Sequence, residues 1–334
     1  MRELKDILKQ AADRNASDIH ISMGDPVMLR TDGRLGKLDE TVPSAQDFGQ
    51  ILKTYLSAEQ LLALKQTGAV SLVIPLGQEG RFRLFFYRKN GGYAMAGRHF
   101  PAEIPFFDEL RLPERLRTLL GKPSGLILAG GGAGSGRSTT LAAIINELNM
   151  TTEKYIVVLS ELAEFCHRSI RSLVEQRSIG SDVASAGAGI RAAVSADADI
   201  IVLDEIHDAE TLGEAIFAAQ AGKLLIAGIR AEDTTAVYKR LLEFYEPDRR
   251  AEINEKLSAY VQGILAQKLL PLKKGGRAAA CELLIFDQAV RNLLKEEKYG
   301  QVLSIMQNDK KNGMVTFDDA MAEMESMRLI AGEE

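Results

Sequence analysis

Continuous runs of Val, Ile and Leu recur along the chain from about residue 114 onward, and each is followed by a loop and a helical pattern. The runs read Leu126-Ile-Leu, Tyr155-Ile-Val-Val-Leu, Asp199-Ile-Ile-Val-Leu and Leu224-Leu-Ile-Ala. A strand that is apolar at every position is typical of a parallel sheet covered by helices on both faces. The pattern therefore predicts an α/β domain with a parallel sheet, ending in amphipathic helices from about residue 287.

The first 99 residues show a different pattern, in which short apolar–polar alternations flank a helical stretch over roughly 46–66. The alternating segments are 18–22, 27–30, 70–74 and 80–87. They predict a smaller α+β unit built on a mixed sheet. Pro101, Pro105 and Pro113 then mark a linker. We expect an N-terminal α+β domain at 1–99, a linker at 100–113 and the parallel-sheet domain at 114–334.

Composition narrows the functional classes that need to be considered. The 334 residues are 46% hydrophobic and 26% charged, with a formal net charge of -5, as is ordinary for a globular protein. The acidic balance argues against a primary nucleic-acid binder. No apolar run reaches 18 residues, and the polar N-terminus (MRELKDILKQAADRN) predicts an amphipathic helix rather than a signal peptide. We therefore expect a cytoplasmic protein, with Cys166 and Cys281 as bystander thiols.

A glycine-rich segment follows the apolar strand 125–129 and opens a helix, which is the context of a phosphate-binding P-loop. Its backbone N–H groups and the helix N-terminus would face the phosphates of ATP, and the Ser138 hydroxyl would face Mg²⁺. Where the motif has lysine the chain has Arg137, which is longer, planar and forked. A ligand-free turn is the alternative. The predicted nucleotide-binding residues are Gly131, Gly132, Ala133, Gly134, Ser135, Gly136, Arg137, Ser138 and Thr139.

Two carboxylates, Asp204 and Glu205, end the buried strand 199–203, as in the Walker B pattern. A strand end beside a P-loop places Asp204 where it can hold a magnesium-bound water, and Glu205 where it can polarise the attacking water. Adjacent acids at a strand tip are weak evidence alone, but their position about 65 residues after a P-loop supports the prediction.

Several motifs together resemble the retraction ATPases of type IV pili, within the type II/IV secretion ATPases. The shared segments are the P-loop string Gly131–Asn146, Leu173–Arg177, Arg191–Ile201, Ala221-Gly222, Ala289–Leu294, Ala16–Ile21 and Met28–Gly33. The resemblance implies a PAS-like N-terminal domain, a RecA-like P-loop ATPase domain and a hexameric ring. It also implies a role in twitching motility at the inner face of the cytoplasmic membrane, against a pilus platform protein.

Arginines of the N-terminal domain neutralise the phosphates in this family, and the matching positions are Arg81, Arg83 and Arg98. Arg81 and Arg83 are two residues apart on a predicted strand and so share one face. On that face they would stabilise the charge that develops in the transition state. A solvated strand face is the alternative.

The chain departs from the family pattern at several polar positions besides Arg137. Ser160 replaces a glutamate, and Glu161 stands for an aspartate. Two histidines are replaced by Lys223 and Arg230, permanent cations that would bind a γ-phosphate only electrostatically. Asp204, in contrast, makes the chain more like general P-loop enzymes.

These departures leave three hypotheses open. The first is an ATP-hydrolysing retraction motor with attenuated turnover. The second is a non-hydrolysing regulator or structural subunit that associates with a paralogous motor ATPase. The third, a nucleic-acid-dependent ATPase of RecA type, is disfavoured by the acidic charge and by the resemblance at the N-terminus.

Overall fold

A computed structural model describes residues 3–330, and in it the chain divides into two compact units. The first unit comprises the residues up to Ile104 together with Leu162–Cys166, and the second comprises Pro105–Glu161 and the residues from His167 onward. Met1 and Arg2, and residues 331–334 of the predicted C-terminal domain, lie outside the described residues. Within 3–330, the helices are all too short or too polar to span a bilayer.

The N-terminal unit is a six-stranded antiparallel sheet with helices packed on one face, so the mixed sheet predicted for it is wrong. Its strands follow the order β3-β2-β1-β6-β5-β4. The elements are α1 (Leu4–Asp13), β1 (Asp18–Ser22), β2 (Met28–Thr31), β3 (Arg34–Lys37), α2 (Ala45–Tyr55), α3 (Ala58–Thr67), β4 (Ala69–Pro75), β5 (Arg81–Lys89) and β6 (Gly92–Phe100), with a 3-10 turn at Gly77–Glu79. Alternate residues of β5, Phe82, Leu84 and Phe86, are buried in the core beneath the helices.

The helical stretch predicted at 46–66 is helical in the structure, but it divides into two helices. Leu56 is extended, and Ser57 begins a new helix with its side chain accepting a hydrogen bond from the Gln60 amide. The Gln60 side chain in turn accepts from the Ser57 amide, which completes a capping box. The reciprocal cap satisfies N–H groups that a continuous helix would have bonded internally.

The C-terminal unit is a seven-stranded sheet of order β13-β12-β7-β11-β10-β8-β9, parallel throughout except for the antiparallel pairing of β12 with β13. Its elements are α4 (Arg115–Leu120), β7 (Gly125–Gly130), α5 (Arg137–Thr151), β8 (Tyr155–Ser160), β9 (Leu173–Ser178), α6 (Ala186–Ser195), β10 (Ile200–Leu203), α7 (Ala209–Gln220), β11 (Leu224–Ile229), α8 (Thr234–Glu243), α9 (Pro247–Tyr260), β12 (Val261–Pro271), β13 (Arg277–Ile285), α10 (Gln288–Lys295), α11 (Val302–Asn308) and α12 (Phe317–Ser326), with 3-10 turns at Tyr299–Gln301 and Lys310–Asn312.

Both faces of this sheet are buried, as the continuous apolar runs predicted. Successive residues of one strand enter different cores: on β10, Ile201 and Leu203 join one cluster, while Ile200 and Val202 join the cluster on the opposite face. Strands buried in this way need an apolar residue at every position. The predicted α/β class is therefore confirmed, and the predicted apolar strands are present as β7, β8, β10 and β11.

Candidate nucleotide-binding site

Four parallel strands of the C-terminal unit deliver the predicted site residues to one edge of the sheet. The carboxyl ends of β7, β8, β10 and β11 are followed by the Gly-rich loop, Glu161, Asp204-Glu205 and Arg230 respectively. Loops at the carboxyl edge of a parallel sheet are where α/β proteins bind ligands. The order β7-β11-β10-β8 therefore brings residues far apart in sequence to one place.

The loop after β7 has the backbone that a phosphate-binding turn requires. Gly134 and Gly136 have φ values of 76° and 88°, a left-handed conformation that glycine adopts without a Cβ penalty. α5 starts directly after Gly136, and its first intrahelical bond runs from the Thr140 amide to the Gly136 carbonyl. The N–H groups of residues 137–139 thus have no carbonyl within the helix, and with the helix dipole they form an anion-binding terminus.

Gln267 on β12 supports this loop and was not identified from the sequence. Its side chain is buried, and its Nε2 donates a hydrogen bond of 2.7 Å to the Ser135 carbonyl. A Cβ at Gly136 would lie 3.1 Å from the same nitrogen, so the glycine also admits the glutamine. Only the pairing of β7 with β12 brings residues 135 and 267 together, and no local sequence signal could have revealed it.

The side chain of Arg137 turns back into the protein. Its Nη1 donates to the carbonyls of Gly131, at 2.9 Å, and Ile229, at 2.8 Å, while Nη2 pairs with the Glu205 carboxylate. The guanidinium therefore joins the start of the P-loop, the end of β11 and the tip of β10. Burial lowers the pKa of Arg137, an effect that the Glu205 charge partly offsets, and a guanidinium remains protonated at neutral pH.

Glu205 is held by more than Arg137. Arg230 Nε lies 2.9 Å from Glu205 Oε1, and His207 Nδ1 lies 3.3 Å from the same oxygen. The Glu205 side chain is only 9% exposed and that of Arg137 is 15% exposed, whereas Arg230 is 69% exposed. Glu205 thus forms one largely buried ion pair, with Arg137, and one at the surface, with Arg230.

The oxygen groups predicted for the metal suit Mg²⁺ by their chemistry. Ser138 and Asp204 are both exposed, at the first turn of α5 and directly after β10. Hydroxyl and carboxylate oxygens are hard ligands, and Mg²⁺ in phosphate sites takes few protein ligands beside phosphate and water. Within 3–330, groups of three or more His, Cys, Asp or Glu side chains suited to a metal are absent.

Lys223 does not belong to this site, which corrects the expectation that it would face a γ-phosphate. It precedes β11, whereas Arg230 follows β11, so the two residues lie at opposite edges of the sheet. Lys223 Nζ instead pairs with Asp197 at 2.5 Å. The other altered position, Ser160, is buried at the end of β8, and Glu161 after it is exposed.

The three arginines predicted from the N-terminal domain share one face of its sheet. Arg81 and Arg83 alternate with buried residues on β5, and Arg98 on β6 lies directly across from Arg83. Each has partners within its own unit. Arg81 Nη1 donates to the Ala163 carbonyl at 2.8 Å, Arg83 Nη1 lies 3.5 Å from Glu164 Oε1, and Arg98 Nε lies 3.0 Å from Asp18 Oδ1; Arg81 Nη2 also contacts Cys166 Sγ.

The motif at 289–294 packs in the core of the C-terminal unit. Val290 and Leu294 are fully buried, and Arg291 on the neighbouring position of α10 donates to the carbonyls of Ser258 and Ala259 at the end of α9. These carbonyls are among the four that a helix leaves without an internal partner. In the folded chain the arginine of this motif therefore caps a helix.

The chain is similar to known proteins over most of its length. Residues 1–278 match the family model described as type II/IV secretion system protein. YggR, an uncharacterised protein of Escherichia coli K12, is 32% identical over 317 residues, covering 95% of this chain and 96% of YggR. The type IV pilus retraction ATPase PilT of Pseudomonas aeruginosa is 29% identical over 331 residues, covering 99% and 96% of the two chains.

A solved structure of the pilus retraction motor PilT with bound ADP superposes on this chain with a TM-score of 0.82 and 33% sequence identity. The match covers 96% of this chain and 97% of the solved one, so it includes the sheet-rich N-terminal part as well as the RecA-like core. The family model thus covers most of the sequence, and the solved PilT structure shares the fold. The chain is a member of the type II/IV secretion system protein family.

Proposed function

We propose that this chain is an ATP-binding motor subunit for type IV pilus retraction, with attenuated ATP hydrolysis. The observation that carries the proposal is the contact between Glu205, at the tip of β10, and the first residue of the P-loop helix. That contact puts a carboxylate of the Walker B type beside the phosphate-binding turn. The full-length similarity to PilT, whose solved structure holds ADP, supports the same assignment.

Each residue of the proposed site has a distinct role. The backbone N–H groups of 131–139 bind the phosphates of ATP, because a helix N-terminus favours anions. Glu205 orients and polarises the attacking water. Ser138 and Asp204 would hold Mg²⁺, which neutralises phosphate charge when bound. Arg81, Arg83, Arg98 and Glu161 are proposed, by resemblance, to stabilise charge on the phosphates or to position the water.

The assembly that we propose follows the same resemblance. The chain would form a homo-oligomer, most simply a hexameric ring, that can include a paralogous motor ATPase. It would act in the cytoplasm at the inner face of the membrane, against a pilus platform protein and without nucleic acid. The similarity to PilT, a pilus retraction motor, supports a role in pilus retraction.

A second candidate, a non-hydrolysing regulatory subunit, is favoured by one specific observation. Glu205, the residue that must activate water, has both carboxylate oxygens engaged by arginines. Guanidinium groups that donate to both oxygens compete with a water molecule for the carboxylate. The motor and the regulator therefore differ in whether ATP binding is followed by turnover.

Phosphate release by the purified chain with ATP and Mg²⁺ tests the proposal. We expect slow release that Glu205→Gln lowers about 100-fold, as general-base loss typically does. Arg137→Lys, which restores the compact cation of the usual motif, should raise release. ATP binding without release in the natural chain, together with release by Arg137→Lys, would establish the regulator. Absence of ATP binding would contradict both candidates.

A further inference from the structure

The Arg137–Glu205 pair occupies the position from which a P-loop cation would act on phosphate. In P-loop proteins the residue at this place in the motif reaches the β- and γ-phosphates. Here the guanidinium of Arg137 donates two N–H groups to the carbonyls of Gly131 and Ile229 and a third to the Glu205 carboxylate. Three of the five guanidinium N–H groups are thereby engaged within the protein, so a terminal phosphate would compete with these partners for the side chain.

The backbone of β11 leaves space for this inward course. Gly228 has no side chain, and a Cβ there would lie 3.0 Å from Arg137 Nε and 3.2 Å from its Cδ. The same Cβ would lie 2.0 Å from the Asp204 carbonyl oxygen, so residue 228 is tightly packed between the loop and the strand tip. Glycine at 228 therefore permits the arginine to reach Glu205.

Separating Arg137 from Glu205 without a replacement partner is energetically unfavourable. Both side chains are largely buried, and removing one partner of a buried pair leaves a charge without compensation. A triphosphate in the loop supplies such compensation, because arginine binds phosphate as well as carboxylate in a forked geometry. Glu205 keeps its surface pair with Arg230 when Arg137 leaves. Exchange of partners is thus possible without stranding either charge.

We propose that the Arg137 guanidinium is exchanged between the Glu205 carboxylate and the terminal phosphate of ATP. Without nucleotide the arginine restrains Glu205, and binding of ATP releases it. The pair therefore competes with ATP for Arg137 and couples occupancy of the loop to the freedom of the carboxylate. This inference rests on the proposed function, because it requires that the loop binds ATP.

A double-mutant cycle on nucleotide affinity tests the exchange. The natural chain, Glu205→Gln, Arg137→Gln and the double variant are titrated calorimetrically with AMP-PNP, which is hydrolysed too slowly to distort the binding constant. Glu205→Gln should tighten binding at least tenfold, since the competing carboxylate charge is removed. In the Arg137→Gln background the same change should alter affinity less than threefold. Binding of ADP, which lacks the terminal phosphate, should respond less.

Two controls separate the exchange from general effects. Glu232→Gln removes an exposed carboxylate from the loop after Arg230 and should leave AMP-PNP affinity unchanged. If Glu205→Gln does not fold, Glu205→Asp, which is shorter by one methylene, should tighten binding by a smaller factor through the same loosened pair. Circular dichroism identifies the folded variants.

The outcomes distinguish this inference from the proposed function. If the natural chain binds AMP-PNP and Glu205→Gln has no effect, or tightens binding equally with and without Arg137, the exchange is wrong and the proposed function is untouched. If none of the four proteins binds AMP-PNP, the proposed function fails and the exchange fails with it. Tightening that depends on Arg137 supports the exchange.

Discussion

Arginine–carboxylate pairs occur in both units of this protein, and their surroundings differ. In the C-terminal unit, the Arg137 and Glu205 side chains are 15% and 9% exposed. In the N-terminal unit, Arg83 pairs with Glu164 at 3.5 Å, and those side chains are 41% and 18% exposed. Coulombic attraction between two charges rises as water is excluded, and so does the cost of leaving either one alone. Breaking the buried Arg137–Glu205 pair should therefore cost more free energy than breaking the more exposed Arg83–Glu164 pair, although the residue types are the same.

The difference follows from the two sheets. The parallel sheet is covered on both faces, so its carboxyl edge is a confined place where loops crowd together. The antiparallel sheet of the N-terminal unit is covered by helices on one face, and its arginines stand on the other. At the carboxyl edge of the parallel sheet, separating an ion pair costs free energy unless each charge gains another partner. On the open face of the antiparallel sheet, water can solvate an arginine that leaves its carboxylate, so the cost is small.

The most direct way to break this comparison is to remove the carboxylate in each unit. Glu205→Ala should lower the free energy of unfolding by about 3 kcal/mol, because it strands the buried Arg137 charge. Glu164→Ala should lower it by less than about 1 kcal/mol, because Arg83 is then solvated. Urea unfolding of the two variants measures the difference. Equal losses would show that burial does not separate the pairs.

A second comparison concerns two glycines, one in each unit, at which an added Cβ would meet neighbouring atoms. Gly228→Ala should cost about 3 kcal/mol, because its Cβ would meet the Asp204 carbonyl at 2.0 Å and backbone must shift. Gly97→Ala on β6 would meet the ends of Ile19 and Leu84 side chains at 2.7 and 2.8 Å, which can move, so about 1 kcal/mol is expected. Urea midpoints should rank the variants in this order, and a reversed ranking would contradict the packing argument.

Protonation of a buried histidine tests, with a smaller expected change in the free energy of unfolding, whether burial makes a charge costly. His167 is the first residue after the Leu162–Cys166 segment of the N-terminal unit, and burial lowers its pKa to about 4. Between pH 6.5 and 4 the unfolded chain binds a proton there that the folded chain does not. Stability should thus be full well above pH 6.5 and fall by about 2–3 kcal/mol on acidification from pH 6.5 to pH 4.

Comparison with His167→Gln isolates this contribution, since glutamine does not titrate. The urea midpoint of the variant should lose less between pH 6.5 and 4 than that of the natural chain. Parallel pH profiles for the two proteins would mean that the imidazole is not the group responsible.

Much of the C-terminal unit was predictable because its information is local. A strand buried on both faces must be apolar throughout, and a P-loop must carry small residues between such a strand and a helix. Asp204 and Glu205 were identifiable for the same reason. Gln267 was not, because its contact with Ser135 spans 132 residues and depends on the pairing of β12 with β7. Nor did the alternation reveal β6, which carries Arg98.

In the N-terminal unit, the sequence predicted which arginines share a face but not which groups they contact. The predicted arginines do share one face, because strand periodicity places Arg81 and Arg83 together and cross-strand pairing adds Arg98. The groups that these arginines contact could not be predicted from the sequence. Glu164 comes from a short segment of the chain some 80 residues further on, which belongs to this unit although its neighbours do not.

The sequence by itself determined the fold class and the positions of the Gly-rich loop and of the strand tip with its carboxylates, because each depends on the spacing of neighbouring residues. Only the tertiary structure decided what Arg137 does. The loop motif predicts a cation directed at phosphate, whereas the order of β7, β11 and β10 places two carbonyls and Glu205 within its reach. A side chain's partner is chosen by which charges the fold brings within hydrogen-bonding distance, and spacing along the chain does not record that choice.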